Sequence, residues 1–253
     1  MENILKSLDY RLRKLLTKPA PDFNQFEIEA SDQLKETHRS ISADIFFSAD
    51  HGLTHKWLHY FDIYDRMFKP YIGSSVKILE IGVFKGGSLE MWRKFLGEKA
   101  TIFGVDIDPA CAQYDGKFGS VRIGSQDDPD FLRQVVKEMG GVDIVLDDGS
   151  HIATHQRTSF EALFPLLSND GLYIIEDMHT AYWLDYEGGL KRKGTAIEFL
   201  KDKIDAMHAH YSSAELNSSE AIPEINSIQF FDSVAVIHKK KQHPRRPIKI
   251  GKI

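Results

Sequence analysis

The chain has 253 residues, 42% hydrophobic and 27% charged, with a formal net charge of −5. That balance can bury a core, while an acidic body would repel phosphates and argues against a nucleic-acid partner. A single cysteine, Cys111, excludes an internal disulfide and fits a reducing compartment.

At the N-terminus, "MENILKSLDYRLRKLLTKPAPDF" holds no sustained apolar run of a secretory leader, and no stretch approaches the roughly 18 apolar residues of a membrane span. A cytoplasmic protein without a transmembrane segment is expected. Residues 1–75 read as a helical extension, in which "LTHKWLHYFDIYDRMF" places Leu58, Phe61, Ile63, Tyr64 and Phe68 at amphipathic-helix spacing. From Val76 onward, short apolar runs alternate with helix-like stretches, the pattern of a parallel sheet covered on both faces. The runs predict strands at 76–82, 101–107, 120–124, 142–148 and 171–177. "GGSLEMWRKFLG" and "DPDFLRQVVKEMGG" predict helices that end in glycine.

The segment 178–222 is long and polar, and its place after a strand's carboxyl end predicts a substrate-side lid. "SIQFFDSVAVIHKK" then reads as two close strands, an antiparallel hairpin ending the sheet. The expected fold is α/β: a doubly wound, mostly parallel, seven-stranded Rossmann-like sheet over 76–239, with a helical N-terminal extension and a basic tail at 240–253. The end of the chain carries Lys239, Lys240, Lys241, Arg245, Arg246, Lys249 and Lys252 with no acid among them. A solvated terminus explains this most simply; docking onto an anionic glycan, a lipid surface or a neighbouring subunit of a homo-oligomer is the alternative.

The turn "EIGVFKGGS" follows the first strand and opens a helix, with Glu80, Gly82, Gly86, Gly87 and Ser88 in an E-x-G-x-x-x-G-G pattern. Its glycines permit a tight turn and close backbone approach to a ligand, although packing of helix on strand explains many such turns. Asp106 ends the second strand about 20 residues beyond the turn, where a carboxylate can accept both ribose hydroxyls of a nucleoside. It could instead cap "DPACAQ", a job that suits Asp108 better. Ser125, Gln126 and Asp127 follow the third strand at the height of an adenine ring.

After the fourth and fifth predicted strands, "LDDGSH" and "IIEDMHT" bring Asp147, Asp148, Glu176 and Asp177 to one rim. So many acids repel one another unless a cation shares them, and oxygen donors without cysteine favour Mg²⁺, or Mn²⁺ or Ca²⁺, over zinc. Capping of the helices near Ser150 and Met178 explains one acid per strand but not two pairs. His151 is placed to take a proton beside such a metal. "HIATH", with His155 four residues on, lacks the glutamate of a zinc-protease motif. His55 and His179 could line a pocket, and Tyr182 and Trp183 could stack on a substrate or belong to the core.

The glycine spacing departs from that of dinucleotide folds and resembles the first motif of class I S-adenosylmethionine-dependent methyltransferases. The resemblance implies Glu80, Gly82 and Gly86 around the methionine part, Asp106 at the ribose, and Gln126 with Asp127 at the adenine; Ser88, Ser125 and Asp147 complete the expected cofactor-binding set. The paired D-D-G-S-H and E-D-M-H-T-A-Y-W motifs further resemble the Mg²⁺-dependent sugar O-methyltransferases of macrolide tailoring and glycan modification. That implies Asp148, Glu176 and Asp177 as metal ligands, with His151 as general base beside Asp148. The separate large domain that precedes this motif in the macrolide enzymes is not expected in the 75 residues before the first strand. The implied activity is methylation of a sugar hydroxyl on a small-molecule or glycan acceptor. A catechol-type O-methyltransferase is the nearest rival, and a NAD(P)-binding oxidoreductase or a non-catalytic cofactor-binding module stands further off.

Overall fold

In the computed structural model, residues 32–48, 52–211, 224–241 and 246–251 are described, together with 13, 14, 20–22, 25, 27 and 28. Most of the first 31 residues of the predicted extension, residues 212–222 of the predicted lid and residues 242–245, 252 and 253 of the basic tail lie outside the described residues.

The apolar runs form seven strands: β1 Lys77–Ile81, β2 Thr101–Asp106, β3 Ser120–Ile123, β4 Val142–Asp147, β5 Leu167–Ile175, β6 Ile225–Phe231 and β7 Val234–Lys239. They lie in one sheet in the order β3-β2-β1-β4-β5-β7-β6. The first five are parallel, and β7 runs antiparallel to both its neighbours. The order reverses between β1 and β4, and in such sheets a ligand crevice opens outside the carboxyl ends at that point.

Among the described residues, α1 Asp32–Thr37, α2 Ile41–Phe47 and α3 Tyr60–Phe68 precede the sheet; α4 Gly87–Leu96, α5 Pro129–Met139, α6 Ala153–Leu163 and α7 Ala196–Met207 follow. Successive strand side chains point to opposite faces, so Ile78 and Ile144 join one core while Leu79 and Val145 join the other. The first core includes Phe47, Phe61 and Phe68 beside Trp92 of α4, so the predicted extension is packed against the sheet domain. The second gathers α5, α6 and α7. With both faces covered, β1 and β4 read as almost continuous apolar runs, as buried parallel strands do.

Two expectations change in detail. β5 begins at Leu167, which pairs with Val142 ahead of a register shift, so it starts before the predicted 171. The span 178–222 also contains α7, whose Ala196, Phe199 and Leu200 are buried against the sheet. The part before α7 forms short 3-10 turns at Met178–Tyr182 and Leu184–Tyr186; Met178 and Ala181 of the first are buried in the second core, and the second turn has no buried residue. Among the described residues, no helix is long and apolar enough to cross a membrane.

Candidate active site

A cleft of about 490 Å³ lies outside the carboxyl ends of β1, β4 and β5. Its floor depends on Gly82, which has φ +98°; a Cβ there would lie 2.2 Å from the Asp148 carbonyl oxygen, so only glycine lets the two strand ends approach this closely. The turn after Gly82 is tied down by Asp106. Val83 and Phe84 N–H donate to its Oδ2 at 2.9 and 3.0 Å, and Asp108 N–H donates to Oδ1 at 2.9 Å. Burial opposes the charge on Asp106, but the three backbone donors outweigh it and hold the carboxyl below its ordinary range. With two donors on Oδ2, the capacity left for a ligand sits mainly on Oδ1. Asp108 caps the following 3-10 turn by accepting from Ala110 N–H.

Beneath the turn, Glu80 is fully buried and accepts from Ser88 Oγ at 2.8 Å and Trp92 Nε1 at 3.1 Å. Burial pushes its carboxyl up to about 7, against the opposing influence of Lys56 and the two donors. Ser88 and Gly82 border the cleft, whereas Glu80 holds the start of α4 from below. Gly86, φ +76°, caps α4, and a Cβ there would meet the Tyr114 ring at 2.6 Å.

Asp147 is not at the rim. Adjacent residues at a strand end point to opposite faces, and Asp147 faces the core, 0% exposed. Gln126 Nε2 donates to its Oδ1 at 2.6 Å, and Ser159 Oγ and Tyr173 OH donate to Oδ2 at 2.8 and 3.2 Å. The Gln126 carbonyl accepts Ser150 N–H at 3.0 Å, so this side chain joins β4 to the start of α6 and has little left for an adenine. The expectation of four acids on one rim, and of Asp147 at the cofactor, is corrected on this ground. A second cavity of about 190 Å³ adjoins the cleft beside Asp106, Ser125 and Ser150. Ser125 Oγ there accepts Asp127 N–H, Asp127 lies 3.9 Å from His155 Nε2, and Ile107 presents an apolar face that is 72% exposed.

Asp148, Glu176 and Asp177 do line the cleft. Asp177 takes a left-handed conformation, φ +54°, which breaks the strand alternation so that two consecutive acids border one space. His151, also left-handed at φ +59°, places Nε2 3.7 Å from Asp177 Oδ2. Its Nδ1 is buried without a hydrogen-bond partner among the described residues. One ligand atom from each of Asp148, His151 and Asp177 falls within 4.8 Å of the others. This mostly oxygen donor set fits a hard divalent cation.

Three groups that the motifs did not reach complete the rim. Lys56 Nζ donates to Asp148 Oδ2 at 2.5 Å and Glu176 Oε2 at 2.8 Å; Tyr64 OH donates to Glu176 Oε1 at 2.6 Å, and Tyr60 OH to Asp177 Oδ1 at 2.7 Å. Burial works against the Lys56 ammonium, but Asp148, Glu176 and Glu80 outweigh it and hold its pKa well above the ordinary range. The signal was present as Lys56, Tyr60 and Tyr64 at four-residue spacing, although only the two tyrosines lie on α3 and Lys56 reaches the rim from the segment before it. Beyond the acids, Trp57, His179, Trp183 and Tyr186 form a chain of rings with centroids 5.7, 4.9 and 5.9 Å apart, reaching His151 at 6.3 Å. Glu187 ties this chain to α6 by accepting Thr154 N–H at 2.9 Å. His55 lines the cleft, whereas Tyr182 is half exposed and outside its lining.

The methyltransferase-domain family profile matches residues 79–178. An 8-demethyl-8-(2-methoxy-α-L-rhamnosyl)-tetracenomycin-C 3′-O-methyltransferase of Streptomyces olivaceus is 35% identical over 237 residues, covering 87% of this chain and 60% of the relative. The mycinamicin VI 2″-O-methyltransferase of Micromonospora griseorubida is 38% identical over 196 residues, covering 72% and 49%. The MycE methyltransferase of mycinamycin biosynthesis, solved with Mg, SAH and mycinamycin VI, superposes with a TM-score of 0.68 at 35% identity, over 82% of this chain and 53% of that one. The chain therefore spans about half the length of these relatives. Fold, strand order and glycine turn are those of a class I S-adenosylmethionine-dependent methyltransferase, and residues 79–178 carry the methyltransferase domain. The chain is closely related to the macrolide sugar O-methyltransferases.

Proposed function

We propose that this chain is an S-adenosylmethionine- and Mg²⁺-dependent O-methyltransferase acting on a sugar hydroxyl of a glycosylated natural product or other glycan. The observation that carries the reading is one cleft bordered both by the glycine turn with Asp106 and by Asp148, His151 and Asp177. Bound S-adenosylmethionine supplies a methyl activated on sulfonium, and a divalent cation supplies Lewis acidity toward a sugar hydroxyl. Gly82, Ser88 and Asp106 hold the methionine and ribose parts, and Ser125, Asp127 and Ile107 border the adenine. Asp148, Glu176 and Asp177 hold the cation.

His151 Nε2 takes the proton of the attacking hydroxyl. Asp177 Oδ2, 3.7 Å away, stabilises the imidazolium that results. Trp57, Trp183 and Tyr186 offer apolar faces on the acceptor side, and residues 178–194, tied to α6 through Glu187, act as its lid and limit the access of water.

The test is transfer of labelled methyl to a panel of desmethyl glycosides, with and without EDTA. Transfer to a sugar hydroxyl that EDTA abolishes and Mg²⁺ restores is expected. Full turnover after rigorous chelation would remove the metal, and transfer confined to catechols would replace the substrate class.

A further inference from the structure

We infer that Lys56 and the divalent cation are alternative occupants of the same carboxylate oxygens, Lys56 being the resident cation of the metal-free site. The inference rests on the metal-dependent reading above and concerns how that site is built.

Of the six oxygens of Asp148, Glu176 and Asp177, four accept hydrogen bonds from the chain. Those on Glu176 Oε1 and Asp177 Oδ1 come from neutral tyrosine hydroxyls, which leave an oxygen able to meet a cation. Asp148 Oδ2 and Glu176 Oε2 instead share one ammonium, at 2.5 and 2.8 Å, on a side chain only 3% exposed. A dication bound through those two oxygens would lie within a few ångströms of Nζ, where two like charges repel strongly in a buried site. Asp148 and Glu176 can act together as ligands only after Lys56 has left. With Lys56 in place, the carboxylate oxygens that accept no hydrogen bond among the described residues are Asp148 Oδ1 and Asp177 Oδ2, beside His151.

The arrangement has a physical purpose in the absence of metal. Buried acids this close are unstable together without a positive partner, and Lys56 supplies one from a segment that itself forms a wall of the cleft, Leu53 to Trp57. The ammonium keeps the two strand ends in place until the ion arrives, and it sets the affinity with which the ion is held.

The experiment uses the full chain without cofactor, at one pH, and titrates Mg²⁺ by calorimetry into the wild type, Lys56→Met and Lys56→Arg. Lys56→Met is expected to bind Mg²⁺ at least about tenfold more tightly, because a competing charge is gone, and Lys56→Arg to stay near the wild type. In parallel, amine acetylation read by mass spectrometry should find Lys56 protected in metal-free wild type and reactive at saturating Mg²⁺. The labelling decides the matter even if a variant fails to fold. Mg²⁺ binding with Lys56 still protected, or a folded Lys56→Met with unchanged or weaker affinity, overturns this inference alone. No Mg²⁺ binding to the wild type or either variant overturns both it and the metal-dependent reading.

Discussion

At the ends of β1, β2 and β3, polar groups are held by backbone from at most 23 residues along the chain: Asp106 accepts from Val83, Phe84 and Asp108, and Ser125 from Asp127. At the ends of β4 and β5 the acids are held by side chains from far away in sequence, Lys56 from 92 and 120 residues and Tyr64 from 112. The cofactor half of the rim is thus built by local turns, which survive on any class I scaffold. The acid half is built by α3 and the segment before it, so its geometry depends on how the N-terminal helices pack.

The largest expected effect falls in the acid half. His151→Ala should lower kcat by roughly 10² to 10⁴, the range for a lost general base, while calorimetry finds Mg²⁺ and S-adenosylmethionine binding nearly unchanged. If Mg²⁺ affinity falls with the rate, His151 is a ligand as well, and the division between proton acceptor and metal holder must be redrawn.

Next is Asp147, which separates the two faces of a single strand end. Asp147→Ala leaves Gln126, Ser159 and Tyr173 facing a hole and should cost about 3 kcal/mol of stability, measured by urea unfolding, with Mg²⁺ binding retained. Asp148→Ala, one residue on, should do the reverse: little change in unfolding and a large loss of Mg²⁺ affinity. Equal behaviour of the two variants would erase the distinction between core face and cleft face.

This pair also marks how far the site could be read from sequence. Strand positions, the glycine turn and the place of Asp106 at the end of β2 were legible because apolar runs and turn residues act locally. The four acids were overcounted because alternation along a strand sends Asp147 inward, and Glu176 and Asp177 both border the cleft only through a left-handed residue that no pattern announces. Lys56, Tyr60 and Tyr64 sat in plain view at four-residue spacing. What they touch is fixed by tertiary packing across some 90 to 120 residues, which periodicity does not encode.

A smaller, pH-dependent effect belongs to Glu80. Its folded pKa, raised to about 7 by burial, lies above the ordinary carboxyl value of 4.5. Below 4.5 the carboxyl is protonated folded and unfolded, and nothing is lost. Between 4.5 and about 7 the unfolded chain releases the proton while the fold keeps it, so stability falls by up to about 1.4 kcal/mol per pH unit. Above 7 the loss levels off. Glu80→Gln should remove this slope, giving a difference of about 2 kcal/mol between the two proteins' changes in stability from pH 5 to pH 8. Parallel pH profiles of unfolding for wild type and variant would show that Glu80 ionises freely and that the Ser88 and Trp92 contacts carry the position alone.

The smallest effect distinguishes two jobs of one residue in the local half. Asp106 ties the glycine turn through Oδ2 and borders the cleft with Oδ1 as its less occupied oxygen, so Asp106→Asn should weaken S-adenosylhomocysteine binding by about tenfold, roughly 1.4 kcal/mol. That loss alone does not say whether a ribose contact or the turn was damaged. The analogue lacking both ribose hydroxyls separates them in a double cycle. If Asp106 meets the ribose, the wild type should prefer the natural ligand over the dideoxy analogue, and the variant should lose most of that preference because its partner hydroxyls no longer find a charged acceptor. If Asp106 only fixes the turn, the substitution should weaken both ligands by the same factor and leave the preference intact, and the local half of the rim would then owe its ribose recognition to another group beside Ile107.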